Sequence, residues 1–292
     1  MDFKATLNNY QKRVEQGISI WTPSKETKPG HLHSAMRYSL EAGGKRLRPV
    51  LVIAIAELFG ASEDPMPAAI ALECIHTYSL IHDDLPSIDD SDLRRGKPTC
   101  HKAFDEPTAL LAGDALLTLA FEIIARSYSD SAILAKDLIL DISAAAGSQR
   151  LIGGQMEDIL GEKSDYTADQ LDYIHLNKTA ALITVAMAMG ARLGNASEQD
   201  LASIQDIGRH VGLAFQITDD ILDATSDNET LGKPTGSDAV HEKTTYVKLY
   251  GLEGARKQAQ AHTASATKLC AELKHETEFL EALTQHLKHR IS

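Results

Sequence analysis

What most constrains this chain is the spacing and punctuation of its apolar residues. Segments 34–43, 50–60, 67–82, 107–127, 131–147, 168–190, 198–224 and 251–288 are rich in Ala, Leu, Ile, Glu, Lys and Gln, all good helix formers. The breaks between them are helix punctuation. Gly43-Gly44 and Gly60 stand where C-terminal stops belong, and Pro67 and Pro107 where first-turn prolines belong. The run PVLVIAIAELFG could pass for a buried strand, but its length and setting favour a helix. Alternating stretches bounded by turn residues are very few, so a sheet is not expected. No Ser/Gly/Pro-rich linker divides the 292 residues, and the polar stretch 226–245 reads as a loop with helix on either side. The expectation is a single all-α domain over 1–292, about a dozen helices packed ridges into grooves. A composition 43% hydrophobic can fill its core.

The charge balance narrows the partners. With 41 acidic against 29 basic side chains and a net charge of −12, the chain lacks the basic footprint that nucleic acid or an anionic membrane needs. Anionic substrates stay admissible, because bound metal ions invert the local charge. Cys74, Cys100 and Cys270 are odd in number and far apart, which fits a reducing cytosol better than a disulfide framework. The opening MDFKATLNNYQKRVEQ lacks the apolar core of a signal peptide. The longest apolar runs, such as 179–194, fall short of the roughly 18 residues of a membrane span. A cytoplasmic protein without stable membrane insertion is expected.

Two acidic clusters stand out. In HDDLPSIDDSDLRRG, Asp83, Asp84, Asp89, Asp90 and Asp92 crowd together ahead of Arg94 and Arg95. Asp83 and Asp89 would lie about 120° apart on an ideal helix. Pro86 between them cannot donate to the His82 carbonyl, so the helix ends or bends there and lets Asp83, Asp84 and Asp89 converge. In FQITDDILD, the i,i+3 and i,i+4 spacings put Asp219, Asp220 and Asp223 on one helical face. Phe215, Ile217, Ile221 and Leu222 bury much of that helix, and a buried triple carboxylate calls for a cation. Hard oxygen ligands without His or Cys alternatives suit Mg²⁺, which completes its shell with water and substrate phosphates. A solvated acidic face explains either cluster alone, but not both together with the basic strings. Those strings are Lys45, Arg46 and Arg48 in GGKRLRP, then Arg94-Arg95, Lys178 with Thr179, and Lys233 and Lys243 in the polar loop. Lys163, Lys257 and Lys268 read as surface ion pairs.

The ordered strings GGKRLRP, CIHTYSLIHDDLPSIDDSDLRRGKPTCHKAF, LAGDALLTLAFE, GGQMEDI, NKTAAL, FQITDDILD and EKTTY resemble the trans-isoprenyl diphosphate synthases from about residue 30 to 260. Within that family the two extra residues in DDLPSID, and Tyr78 five positions before Asp83, are most similar to the bacterial-type farnesyl diphosphate synthases. The resemblance implies an isoprenoid synthase helical bundle around a central cavity, with the aspartate motifs facing across its mouth, and a homodimer. It implies a trio of Mg²⁺ ions held directly by Asp83, Asp89 and Asp219, with Asp84, Asp220 and Asp223 direct or through water. Arg94, Lys178, Gln216, Lys233 and Lys243 match residues that hold the allylic diphosphate. Lys45, Arg48, His76 and Arg95 match the metal-free isopentenyl diphosphate site. Glu242 and Val247 replace the family's usual Gly and Pro, which puts the position of the Lys243 loop in doubt.

The reaction implied is ionisation, condensation and elimination, with Mg²⁺, Arg94 and the lysines stabilising the leaving diphosphate. Oxygens of Thr179 and Gln216 face the cation, and 226–245 is the candidate lid that excludes water. If 67–82 is a helix, Tyr78 lies about 7.5 Å below Asp83 and forms a floor beneath the growing chain, with small Ser79 leaving the upper cavity open. That points to farnesyl diphosphate, with geranylgeranyl diphosphate as the alternative. A class I terpene cyclase is disfavoured by GGKRLRP, since it binds no second diphosphate, and a non-catalytic prenyl synthase subunit by the intact aspartates. The HxH of His31 and His33 and the Cys100-His101 pair lack zinc-like partners, Trp21 reads as packing, and GGQMEDI reads as close packing around Gly153 and Gly154.

Overall fold

The helices begin and end where side chains satisfy their free backbone groups. In the computed structural model, which describes residues 1–61, 63–161, 166–225 and 244–288, α1 (Phe3–Trp21) starts at Asp2, whose carboxylate accepts from the Ala5 N–H at 3.1 Å. Arg37 of α2 (Gly30–Leu40) covers the other end of α1, donating to the carbonyls of Ser19 at 3.0 Å and Thr22 at 2.8 Å. α3 (Leu47–Leu58) closes on Gly60 at φ 72°, with the Ala61 N–H reaching back to Ala56, as the glycine foretells. α4 (Met66–Asp83) has Pro67 in its first turn, and the Tyr128 hydroxyl accepts from its Ala68 N–H. Between α4 and α5 (Cys100–Ala103) lies a minimal antiparallel ribbon of β1 (Leu93–Arg94) and β2 (Lys97–Pro98), turning at Arg95-Gly96. Two residues per strand are too few for alternation to register in a sequence.

α6 (Glu106–Ser127), capped by Asp105, and α7 (Ala132–Ala146) lie within a residue or so of expectation, and α8 (Leu151–Leu160) follows. The stretch 168–190, expected as one helix, is three pieces: α9 (Ala168–Ile174), a π-helical segment His175–Ala180, and α10 (Ala181–Leu193). α11 (Glu198–Thr225) starts at Ser197, whose hydroxyl accepts from the Asp200 N–H. The expected helix 251–288 is two, α12 (Tyr246–Glu272), kinked at Gly251 with φ 68°, and α13 (Glu278–Lys288). The fold is all-α.

α10 is the axis. Eleven of its thirteen residues are buried, and glycines set how near its neighbours come. A methyl on Gly190 would sit 2.6 Å from the Val52 carbonyl oxygen of α3, and one on Gly212 of α11 would sit 2.5 Å from the Ala180 methyl. α11 therefore lies close along the π segment, which brings its carboxylates to the site. α4 runs between α3 and α6. α6 is the one described helix long and apolar enough to cross a membrane by length and composition, a departure from the run-length expectation. A count of unbroken apolar residues stops at Asp114, whereas the helix as a whole does not. It lies along α4 with Leu110 and Leu111 exposed.

Candidate active site

The first acidic cluster is built by the end of α4. After Asp83 the chain folds back on itself: the Ile88 N–H bonds to Leu85, Asp89 N–H to the Asp83 carbonyl at 2.9 Å, and Ser91 N–H to Asp84. The turn absorbs Leu85-Pro86-Ser87-Ile88 and returns Asp89 beside Asp83. Burial pushes the Asp83 carboxyl up to about 6; Lys178 and Arg94 oppose the shift, and Asp89 and Asp84 add to it. Asp84 is buried and receives a fork from Arg94, Nε at 2.8 Å and Nη2 at 2.7 Å. The resemblance reads Asp84 as a ligand direct or through water; here its oxygens accept from the Arg94 guanidinium. Asp92 pairs outward with Lys102 at 2.9 Å, and Asp90 lies near the same ammonium.

The basic strings divide. Arg46, at φ 51°, turns inward to Glu15, Glu73 and the Leu40 carbonyl. Arg48 faces the other way, its Nη1 at 3.2 Å from His76 Nε2 and its buried Nε without a partner among the described residues. Burial first, then Arg48, Arg95, Arg94 and Arg46, hold the His76 pKa well below its ordinary value, so the ring is neutral and Nε2 accepts. Arg95 donates to the Gly43 carbonyl, and its guanidinium fills the space that a side chain on Gly44 would need. The Lys45 ammonium lies 5.8 Å from the Phe215 ring, tying this loop to α11. Arg48, His76 and Arg95 thus lie in mutual electrostatic reach, with Lys45 three residues before Arg48. Lys233, Lys243 and Glu242 lie outside the described residues, as does 226–243 of the expected lid.

The π segment joins the two acidic clusters. Lys178 bonds to Asp158 of α8 at 2.6 Å and acts electrostatically on Asp83. The next residue, Thr179, donates to Gln216 of α11 at 2.7 Å. The wider π turn, one residue longer than an α turn, lets adjacent residues serve both sides. A methyl on Gly154 would sit 2.5 Å from Lys178 N, so that glycine is the close packing expected of GGQMEDI. The three carboxylates of α11 do not share one environment. Asp219 is half-buried and in electrostatic reach of Arg48, and Asp223 is buried. Asp220 is 3% exposed and turned to the start of α12, accepting from Gln216 Nε2 and from the Tyr246 N–H, each at 3.0 Å. Burial chiefly raises its pKa to about 7. Like Asp84, read as a ligand direct or through water, it is met by protein donors, since side-chain spacing gives helical phase but not the partner waiting there.

Tyr78 is 5% exposed on α4, with its hydroxyl buried and unpartnered among the described residues. Burial pushes it up to about 12. Its ring meets His82 edge-on at 5.7 Å, and His82 in turn bonds to the Leu110 carbonyl across the notch left by Gly113. Ser79 folds its hydroxyl onto the His76 carbonyl.

The donor set fits Mg²⁺. Asp83, Asp89, Asp219 and Asp223 are oxygen donors only, and the burial of Asp83 beside Asp89 and Asp84 favours a cation partner. Among the described residues no three such groups converge on one point. The GGQMEDI string, read as close packing with Gln155 and Asp158 as the alternative supporting pair behind the site, does both: Asp158 holds Lys178, and Gln155 has both amide atoms buried without partners among the described residues. Their i,i+3 spacing beside Gly154 was the available signal.

The chain is similar to known proteins over most of its length. A family model for polyprenyl synthetase matches residues 29–284. The farnesyl diphosphate synthase of Bacillus subtilis (strain 168) is 44% identical over 280 residues, 95% of this chain and 94% of that protein. The chloroplastic geranylgeranyl pyrophosphate synthase of Catharanthus roseus is 43% identical, covering 93% of this chain and 76% of that one. The solved geranyltransferase of Helicobacter pylori, complexed with magnesium and isoprenyl diphosphate, superimposes with a TM-score of 0.85 at 33% identity, over 98% of this chain and 97% of that one.

Proposed function

The chain belongs to the polyprenyl synthetase family and is a trans-prenyl diphosphate synthase, and from that premise we propose that it makes mainly farnesyl diphosphate. It would join isopentenyl diphosphate head-to-tail to dimethylallyl and then geranyl diphosphate. The carrying observation is the presence of two cation sets, one bonded to carboxylates (Arg94 to Asp84, Lys178 to Asp158) and one bonded to neutral groups (Arg48 to His76, Arg95 to the Gly43 carbonyl), with Lys45 three residues before Arg48. Two such sets suit two diphosphates.

Asp83, Asp89, Asp219 and Asp223 would hold Mg²⁺, a trio of ions by family likeness. When bound, it neutralises charge developing on the leaving diphosphate. Arg94, fixed by Asp84, and Lys178, fixed by Asp158, point positive charge at the same place without reorganising. Arg48 and neutral His76 hold the second diphosphate. Thr179 and Gln216 line the path between them, and no neutral side-chain base is required if the departing diphosphate takes the proton.

Tyr78 supports the fifteen-carbon length. It is buried five residues before Asp83 on one unbroken helix, and His82 braces its ring. Tyr78→Ala should shift products to twenty carbons or more with activity kept, read by chromatography after incubation with isopentenyl and dimethylallyl diphosphates and Mg²⁺. Wild-type product of twenty carbons would reassign the length, and no condensation product at all would overturn the activity. We also propose a cytoplasmic homodimer. Its supports are three buried free cysteines and the exposed Leu110, Leu111, Ile133 and Leu140 on adjoining α6 and α7.

A further inference from the structure

We infer that Asp220 is a positioning residue, not a metal ligand, and that it sets the polarity of Gln216 and Thr179, the two side chains read above as facing the cation. The inference rests on the condensation proposed above. Its basis is one chain of hydrogen bonds whose direction is fixed at one end. The Tyr246 N–H, a backbone donor, points at Asp220 Oδ2 at 3.0 Å. Tyr246 cannot swing away, because its hydroxyl donates to Asp172 and its ring stacks on His175 with centroids 5.2 Å apart. The other oxygen, Oδ1, lies 3.0 Å from the Gln216 amide. An ionised carboxylate only accepts, so Gln216 must present Nε2 to it. Gln216 Oε1 is then forced towards Thr179, 2.7 Å away, and can only accept, so the Thr179 hydroxyl must donate. The Thr179 proton is thereby used, and its lone pairs are what remain to face a cation. Each Asp220 oxygen is thus already held by one donor fixed in the protein.

Asp220→Asn is nearly isosteric and should reverse the chain. The Asn carbonyl must stay on the Tyr246 N–H, so its NH₂ faces Gln216. Gln216 then turns to offer Oε1 to Asn, Nε2 meets Thr179, and the Thr179 hydroxyl must accept and aim its hydrogen outward. Adding Gln216→Glu restores the original sense, since Glu accepts from both the Asn NH₂ and the Thr179 hydroxyl.

The test compares wild type, Asp220→Asn and Asp220→Asn/Gln216→Glu at pH 8. It measures condensation kinetics, and Mg²⁺ binding by calorimetry in the presence of inorganic diphosphate. Asp220→Asn should lower kcat by about tenfold or more, with KM for the allylic substrate and Mg²⁺ affinity each kept within about twofold. The double variant should recover most of the lost kcat. Unchanged kcat in Asp220→Asn, a parallel fall in Mg²⁺ affinity, or no recovery in the double variant would each overturn the inference. If Asp220→Asn melts out, Thr179→Val on the intact carboxylate serves: it should lose kcat and keep Mg²⁺ affinity, and wild-type kcat there would overturn the inference. A wild type that forms no condensation product sinks the proposed reaction itself, whereas an active wild type with an indifferent Asp220→Asn sinks only the positioning role.

Discussion

Arg46 and Arg48 sit two residues apart in one basic string and serve opposite ends. Arg46 is sealed in with Glu73, their side chains 1% and 2% exposed and 2.7 Å apart. Arg46→Ala leaves Glu73 buried and unpaired, so it should destabilise the fold by about 3–5 kcal/mol, read by denaturant melts. Arg48→Ala should leave stability nearly intact and raise KM for isopentenyl diphosphate by about tenfold or more, whereas Lys178→Ala should act on the allylic substrate or on kcat. Equal changes in both Michaelis constants for every variant would contradict the two-site division. Which residues were charged was plain in the sequence, but not their direction. A left-handed Arg46 has no signature, and Asp220 meets Tyr246 from 26 positions away. Asp83 gives a pH prediction. Its folded-state pKa is raised to about 6 from 3.8, so the folded chain binds that proton more tightly than the unfolded one. The resulting stabilisation is complete below about pH 4 and lost as pH rises through about 6. Metal-free Asp83→Asn should therefore melt above wild type at pH 8, by on the order of 1–2 kcal/mol, while losing turnover. Identical melting with near-normal turnover in saturating Mg²⁺ would refute the metal-holding role.

At the level of elements, helices with strong punctuation were legible almost to the residue. α4, α6 and α11 begin and end within one residue of expectation, because prolines, capping side chains and a Ser-Glu-Gln-Asp start mark them. α1 is hidden in the sequence by its polar, mixed-charge composition although Tyr10, Val14 and Ile18 line one buried face, and α8 by a glycine pair that reads as close contact. The π segment has no punctuation at all. Two glycines separate packing from turn-making. At Gly154 an added methyl meets Lys178 backbone, so Gly154→Ala should cost about 1–3 kcal/mol and displace Lys178, lowering kcat by about tenfold. At Gly60, with φ 72° and open space around it, Gly60→Ala should cost about 1–2 kcal/mol and leave kcat alone. Equal kinetic effects from the two would mean that α8 does not set the lysine.

For the molecule as a whole, the surface is strongly acidic yet leaves large apolar side chains on α6 and α7 in the open, Ile133 at 74% exposure and Leu140 at 57%. The proposed homodimer predicts that Leu111→Glu/Leu140→Glu sediments as a monomer where wild type does not, with helical content unchanged. A variant that still sediments with wild type would place the contact elsewhere. The overall helical architecture was open to the sequence because periodicity and caps are local, whereas which faces remain bare depends on every helix being placed. The π segment also sets the phase of everything before it. Excising one residue within 175–180 would make the helix more regular, yet rotate what lies upstream by about 100° relative to α10. The buried Leu171 and Ile174 would leave their packing, and Lys178 and Thr179 would no longer face their two sides. Regularity and reactivity would part at a single deletion.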